Sequence, residues 1–169
     1  MRMLAAALAV SFGALFGLCL QNRLRRQERV LRQICLLLRQ MRTKTACLHT
    51  PFPELVRAFC DVQAFSDLTF LPDCAVQCDA GVAFPEAWNE AVRRFRRSGA
   101  LSAGAGRELS ELAFSACGAD AESVDGVLSM YEQTMCRYAR EAREHSRTGG
   151  QLCVRVCGAV GLLFGILII

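Results

Sequence analysis

Apolar and polar positions divide the chain into three stretches. Met3 to Leu20 reads MLAAALAVSFGALFGLCL and Leu152 to Ile169 reads LCVRVCGAVGLLFGILII, with Arg155 the only charge in either. An apolar run of eighteen residues makes about 27 Å of helix, just enough for a hydrocarbon core of roughly 30 Å. Both ends are therefore predicted to be transmembrane helices. Arg155 would cost about 2.5–3.5 kcal/mol at the bilayer centre, but near a helix end it snorkels to the headgroups. Gly13 and Gly17 either form a small-residue face for another helix or reflect relaxed transmembrane composition. Arg2 ahead of the first run also fits a secretory signal. The run is long for that, and the arginines after it resist translocation, so a retained anchor is expected.

Between the ends the spacing is that of amphipathic helices. Val30, Ile34, Leu37, Met41 and Leu48 recur at three- and four-residue steps and predict a helix from Gln21 to Leu48. Thr50-Pro51-Phe52-Pro53-Glu54 predicts a break and restart, with Thr50 capping, Pro51 at the first helical position and Glu54 favouring the positive end of the dipole. That second helix would reach Ala64, with Leu55, Phe59 and Val62 inward. Pro72 and the Gly81–Pro85 stretch bracket a short third helix. A fourth begins near Pro85, with Trp88, Val92 and Phe95 on one side. Ser98-Gly99 and Gly104-Ala105-Gly106 loosen the chain before a fifth, Arg107 to Ala116, which Gly118 ends; Asp120 caps the next. In the sixth helix Val124, Leu128, Tyr131, Met135, Tyr138 and Ala142 step by four and three, a seam for core packing or for a partner. No alternating strand pattern competes. The predicted fold is all-α: a bundle of about six helices over 21–150, flanked by transmembrane helices at 3–20 and 152–169.

Charge adds orientation. The net charge is +4, and the basic residues gather behind the first apolar run. Arg23, Arg25, Arg26, Arg29 and Arg32 are candidates for contact with an anionic, cytoplasmic lipid surface. Nucleic-acid binding is the competing reading, but no nucleic-acid fold signature accompanies the charge. Arg137, Arg140, Arg143 and Arg147 precede the second run, so the middle is placed in the cytoplasm with both termini across the membrane.

Ten cysteines raise metal and disulfide chemistry, and their spacing opposes both. No Cys-x-x-Cys occurs, and His49 and His145 are the only histidines. Cys74 and Cys78, and Cys153 and Cys157, stand four apart, which puts each pair on one helical face as reduced packing residues. Cys74 and Cys78 are the weak metal or redox candidates. Phosphate loops, HExxH and GxSxG are absent. The helix-spaced carboxylates Glu86 and Glu90, and Glu108 and Glu111, lack a counterpart that would make them a site. The sequence thus predicts no catalytic residue, no metal, no cofactor and no small-molecule substrate.

The order of these features resembles the stage III sporulation protein AB family of endospore-forming bacteria, over nearly the whole chain. The resemblance rests on the anchor followed by an Arg-rich helix, Thr50-Pro51-Phe52-Pro53-Glu54, the Phe84-Pro85-Glu86-Ala87-Trp88 entry, the Cys117-Gly118-Ala119-Asp120 junction and the long last helix running into an apolar tail. One departure is Thr43-Lys44-Thr45, where family members commonly carry Thr-Glu-Ile. The cysteine richness is another. The resemblance implies a part in a secretion-like channel complex between mother cell and forespore, with a soluble bundle like that of the type II secretion F component. It further implies a cytosolic secretion-type ATPase, the sporulation AA component, and other membrane proteins of the complex as partners. The expected role is a non-catalytic scaffold in the mother-cell membrane. Thr50, Pro51, Phe52, Glu54 and Trp88 are the candidates for shaping a partner-facing turn, against a reading of plain capping. The alternative role is a membrane-anchored module that binds or tethers anionic lipid surfaces.

Overall fold

In a computed structural model the chain runs through α1 (Arg2–Leu48), α2 (Phe52–Cys60), a 3-10 turn (Gln63–Phe65), α3 (Phe70–Asp79), α4 (Phe84–Arg97), α5 (Ala103–Cys117) and α6 (Ala121–Ile168). The described residues are 22–45, 50–120 and 123–146. All of their regular structure is helical, as the sequence predicts. Among them no helix is long and apolar enough to cross a membrane. The two apolar runs, 3–20 and 152–169, lie outside the described residues, as do His49 and the Cys153/Cys157 pair.

The chain separates into two compact units, Arg29–Ala139 and, by itself, Met1–Glu28 with Arg140–Ile169. Within Arg29–Ala139 the predicted stripes form the core. Val30, Ile34, Leu37 and Met41 of α1 are buried, as are Leu55 and Phe59 of α2. The α6 seam packs inward at Val124, Leu128, Tyr131 and Met135, while Tyr138 and Ala142 are half-buried. No polar or charged side chain is buried among the described residues. Apolar burial therefore stabilises this unit, at about 1.5–3 kcal/mol for each large side chain fully removed from water.

Helices α2 and α3, α3 and α4, and α4 and α5 pack as neighbours. Their directions alternate. Cys35 of α1 lies beside Cys136 of α6, and Arg42 Nε, farther along α1, donates to Asp125 Oδ1 at 2.6 Å, farther back along α6. The entry of α1 and the exit of α6 therefore share one end. Gln33 Nε2 donates to Asp67 Oδ2 at 3.2 Å there, bringing in the segment after α2. At the same end Gly104 of α5 lies so close to Tyr138 that an added Cβ would sit 2.8 Å from its hydroxyl oxygen. The opposite end carries the starts of α2 and α4.

Three helix starts differ from the sequence expectation. The N-cap of α2 is Pro51, with φ −60° and ψ 143°, and no side chain caps it. Thr50 therefore lies one residue outside the N-cap. Pro53 then falls in the first turn, where a missing N–H leaves no bond unmade. For the same reason Pro72 sits inside the first turn of α3 rather than before the helix. Helix α5 begins at Ala103 and absorbs Gly104, Ala105 and Gly106; the Ser102 hydroxyl accepts from the Ala105 N–H at 3.3 Å and caps it. Helix α2 also stops at Cys60, short of Ala64, and Val62 is only half-buried.

The turn from α3 to α4 needs Gly81. Its φ of +87° is a left-handed conformation. Val82 N–H donates to Gln77 O at 3.1 Å and Gly81 N–H to Cys78 O at 3.0 Å, the paired bonds of a Schellman stop.

Candidate functional site at the paired proline turns

Two helix starts of the same design meet at the end of the unit away from Arg29 and Ala139. Helix α2 opens on Pro51-Phe52-Pro53-Glu54, and α4 on Ala83-Phe84-Pro85-Glu86. Each has a proline in its first turn, an acidic residue there and no side-chain cap. The rings of Phe52 and Phe84 join them, stacked at 5.5 Å between centroids and 7° between planes. Such a pair contributes about 0.5–1.5 kcal/mol beyond its buried area.

Beneath the stack lies an aromatic column. Phe84 packs on Trp88 at 5.6 Å, Trp88 edge-on against Phe70 at 5.1 Å, and Phe70 on Phe95 at 5.4 Å. The indole N–H of Trp88 donates to Leu109 O at 2.7 Å, tying α4 to α5. Trp88 is 0% exposed, so it reaches no partner itself and instead fixes Phe84. On the surface around the stack, Pro51, Glu54, Ala83 and Glu86 are exposed, Val82 is 38% exposed, and Thr50, Phe52 and Pro53 are half-buried. Of the predicted turn residues the structure therefore gathers Phe52 and Trp88 about Phe84 and leaves Pro51 and Glu54 open to a partner. Sequence reading named Phe84 only as part of a helix start, because nothing local couples residues 52 and 84.

Among the predicted lipid-facing residues, Arg23, Arg25 and Arg26 are exposed. Arg29 stands 4.0 Å from Asp67, and Arg32 is exposed with a partner of its own. Lys44 lies with its ammonium 4.9 Å from the centre of the Phe59 ring, a cation–π contact that gives the charge a local partner.

Among the described residues the thiols and carboxylates form no metal-binding cluster. Burial pushes the Cys74 thiol well above its ordinary range, and the neighbouring Cys78 adds to the shift. The same holds for Cys35 beside Cys136. Both stay protonated, and a thiol is a poor nucleophile and metal ligand. No group of three or more His, Cys, Asp or Glu among the described residues could hold a metal ion. A hydrogen bond from Arg94 holds the Glu90 carboxyl below its usual range, with Arg93 assisting. Glu86, Glu108, Glu111 and His145 lie on or near the surface.

Comparison with known proteins yields no matching curated protein and no matching solved structure. A family model, described as Stage III sporulation protein AB (spore_III_AB), matches residues 2–169. With the match spanning almost the entire chain, this protein belongs to the stage III sporulation protein AB family.

Proposed function

We propose that the protein is a non-catalytic platform subunit of a secretion-like channel complex at the boundary between mother cell and forespore. The apolar runs 3–20 and 152–169 anchor it in the mother-cell membrane, and the helical unit between them docks a cytosolic secretion-type ATPase. Other membrane proteins of the complex contact the same chain. Family membership supports the sporulation role. The observation that carries the docking role is the Phe52–Phe84 stack. It locks two helix starts into one surface, with Pro51, Glu54, Val82 and Glu86 outward over a buried aromatic base. A partner meeting this surface finds it pre-organised and pays little ordering entropy.

Co-expression with the operon's ATPase and capture in mild detergent tests the proposal. The wild-type chain retains the ATPase, whereas Glu54→Lys with Glu86→Lys releases it while still melting cooperatively, lowered only by the lost helix-dipole contribution of about 0.3–1 kcal/mol per acid. Capture unaffected by this double charge reversal, or no capture by an intact chain, overturns the docking role.

The second reading, a tether for anionic lipid surfaces, draws on the exposure of Arg23, Arg25 and Arg26. It predicts salt-sensitive clustering of anionic vesicles by the full chain, and neutral vesicles serve as the comparison.

A further inference from the structure

We propose that Phe114 of α5, with the carboxylates of Glu86 and Glu111, extends the paired-turn surface into a site for one kind of partner segment: one that presents arginine or lysine beside an aliphatic side chain. The inference rests on the docking reading above for the place of contact and adds the chemistry the partner must have.

Phe114 is 50% exposed, the largest apolar side chain left so open among the described residues. A single open aromatic is ordinary on a protein surface; its position is what gives Phe114 a role. Gly106, Ser110 and Phe114 follow one another at four-residue steps along α5, which keeps them near one edge of the helix. That edge is turned to α4, because the stem of Arg96 lies against Gly106, where an added Cβ would fall 2.6 Å from Cδ. Ser115, the next residue, instead meets the Tyr131 hydroxyl of α6 at 3.2 Å.

The level of Phe114 along the pair follows from two contacts. Trp88 bonds to Leu109 O, while Arg96, farther along α4, reaches Gly106, farther back along α5, so the helices are antiparallel. Eight residues on from Gly106 is Phe114, and eight back from Arg96 is Trp88. Five on from Leu109 is again Phe114, and five back from Trp88 is Ala83. Phe114 therefore lies level with residues 83–88, the start of α4. Apolar surface is already gathered there: Phe52 stacks on Phe84, and Val82 is 38% exposed.

Charge identifies the occupant. Glu86, in the first turn of α4, and Glu111, one turn before Phe114, are both exposed. Neither takes part in an ion pair among the described residues. Arg93 and Arg94 of α4 are held by Glu90, and Arg57 of α2 by Asp79. Arg107 stands a further turn away from the start of α4 and ends the acidic stretch. Helix α5 has no basic residue in its last turn, so its closing carbonyls leave partial negative charge beside Phe114. Two carboxylates, a helix C-terminus and an open aromatic ring all favour a cation. A guanidinium matches best, because it stacks on an aromatic face and donates in pairs to a carboxylate. An aliphatic neighbour on the same segment covers Val82 and the edge of the Phe52–Phe84 stack. An acidic segment is repelled.

The test uses the full-length chain in neutral maltoside micelles and two short fluorescent peptides, one of arginine and leucine, the other of glutamate and leucine. Binding is read by anisotropy, with empty micelles as the blank. The arginine peptide binds, and added salt weakens it. Phe114→Ala and Glu111→Lys each weaken it about fivefold or more, the factor for about 1 kcal/mol of lost contact. Phe114→Trp retains binding, and Met130→Ala, at a 55% exposed position of α6, leaves it unchanged. Each variant is checked for cooperative melting, and the exposed Glu111 carries the test if Phe114→Ala fails to fold. Absent or equal binding of the two peptides overturns the inference, as does equal loss with Met130→Ala. So does self-association of the chain that Phe114→Ala abolishes, which makes the surface a contact between copies. ATPase capture by the same variants separates the two proposals. Capture that neither Phe114→Ala nor Glu111→Lys weakens defeats this inference alone. Phe114-dependent peptide binding by a chain that captures no ATPase defeats the docking of the ATPase and leaves the basic-segment site standing.

Discussion

At Trp88 a single side chain does two jobs. Its ring fills the space between Phe70 and Phe84, and its N–H holds the Leu109 carbonyl of the next helix. Trp88→Phe keeps much of the ring but gives up the hydrogen bond, a loss of about 1 kcal/mol plus the missing volume. Trp88→Ala removes the column's centre and costs about 3–5 kcal/mol. Denaturant melts of the two variants rank them in that order, and the alanine variant also releases Phe84 and so weakens ATPase capture. Glu90 tests the electrostatics of a surface site. Arg94 and Arg93 lower its folded pKa, so its stabilising contribution is complete above the unfolded-state value, about 4.3. It disappears as pH falls through the depressed folded value. A side-chain carboxyl titration by NMR finds the Glu90 midpoint below that of an unpaired glutamate, and Arg94→Ala moves it upward. The thiols differ in access: burial raises both Cys117 and Cys74 above the ordinary thiol range, but exposed Cys117 reacts with an alkylating reagent in the folded protein, whereas Cys74, closed off from solvent, reacts only after unfolding.

Helix boundaries show where sequence reading succeeds and where it stops. The seam of α6 was legible because Val124, Leu128, Tyr131 and Met135 repeat a period that packing preserves. The start of α5 was not, because glycine reads locally as a loop signal. Gly104 and Gly106 are helical, and the reason is non-local: Tyr138 and Arg96 approach too closely for a Cβ. Prolines misled similarly, since Pro53 and Pro72 occupy first turns that tolerate them. The paired turns were legible as two separate helix starts, but their joining by Phe52 and Phe84 is a contact between distant residues that no local period encodes. These glycines give a graded prediction. Gly126 in α6 has nothing within 4 Å of an added Cβ, so Gly126→Ala stabilises by about 0.8–1.0 kcal/mol through helix propensity. At Gly106 the same gain is opposed by the Arg96 stem, and Gly106→Ala shifts stability less. At Gly81 the positive φ makes Gly81→Ala destabilising. Thermal melts of the three variants therefore rank 126 above 106 above 81.

At the scale of the whole molecule, burial and connectivity make the same division. Every buried hydrophobic residue described, from Val30 to Ala139, falls inside Arg29–Ala139. That unit also contains the Arg42–Asp125 pair and the Trp88–Leu109 hydrogen bond. About 110 residues is an ordinary size for a domain that folds alone, and among its described side chains Gln33 Oε1 is the buried polar atom left without a hydrogen-bond partner. A fragment of residues 29–139 is therefore expected to be monomeric without detergent and to unfold in one cooperative step. Near- and far-ultraviolet circular dichroism should report coincident transitions, because loss of the aromatic column and loss of helix are the same event. The full chain adds the two apolar runs, and with them resistance to carbonate extraction under the anchoring proposal. A fragment that needs detergent, binds a hydrophobic dye, or loses its near-ultraviolet signal well before its helices would show that the ends complete the core. The division of labour between an independently folded bundle and its anchors would then fail, because tethering and docking could no longer be varied separately.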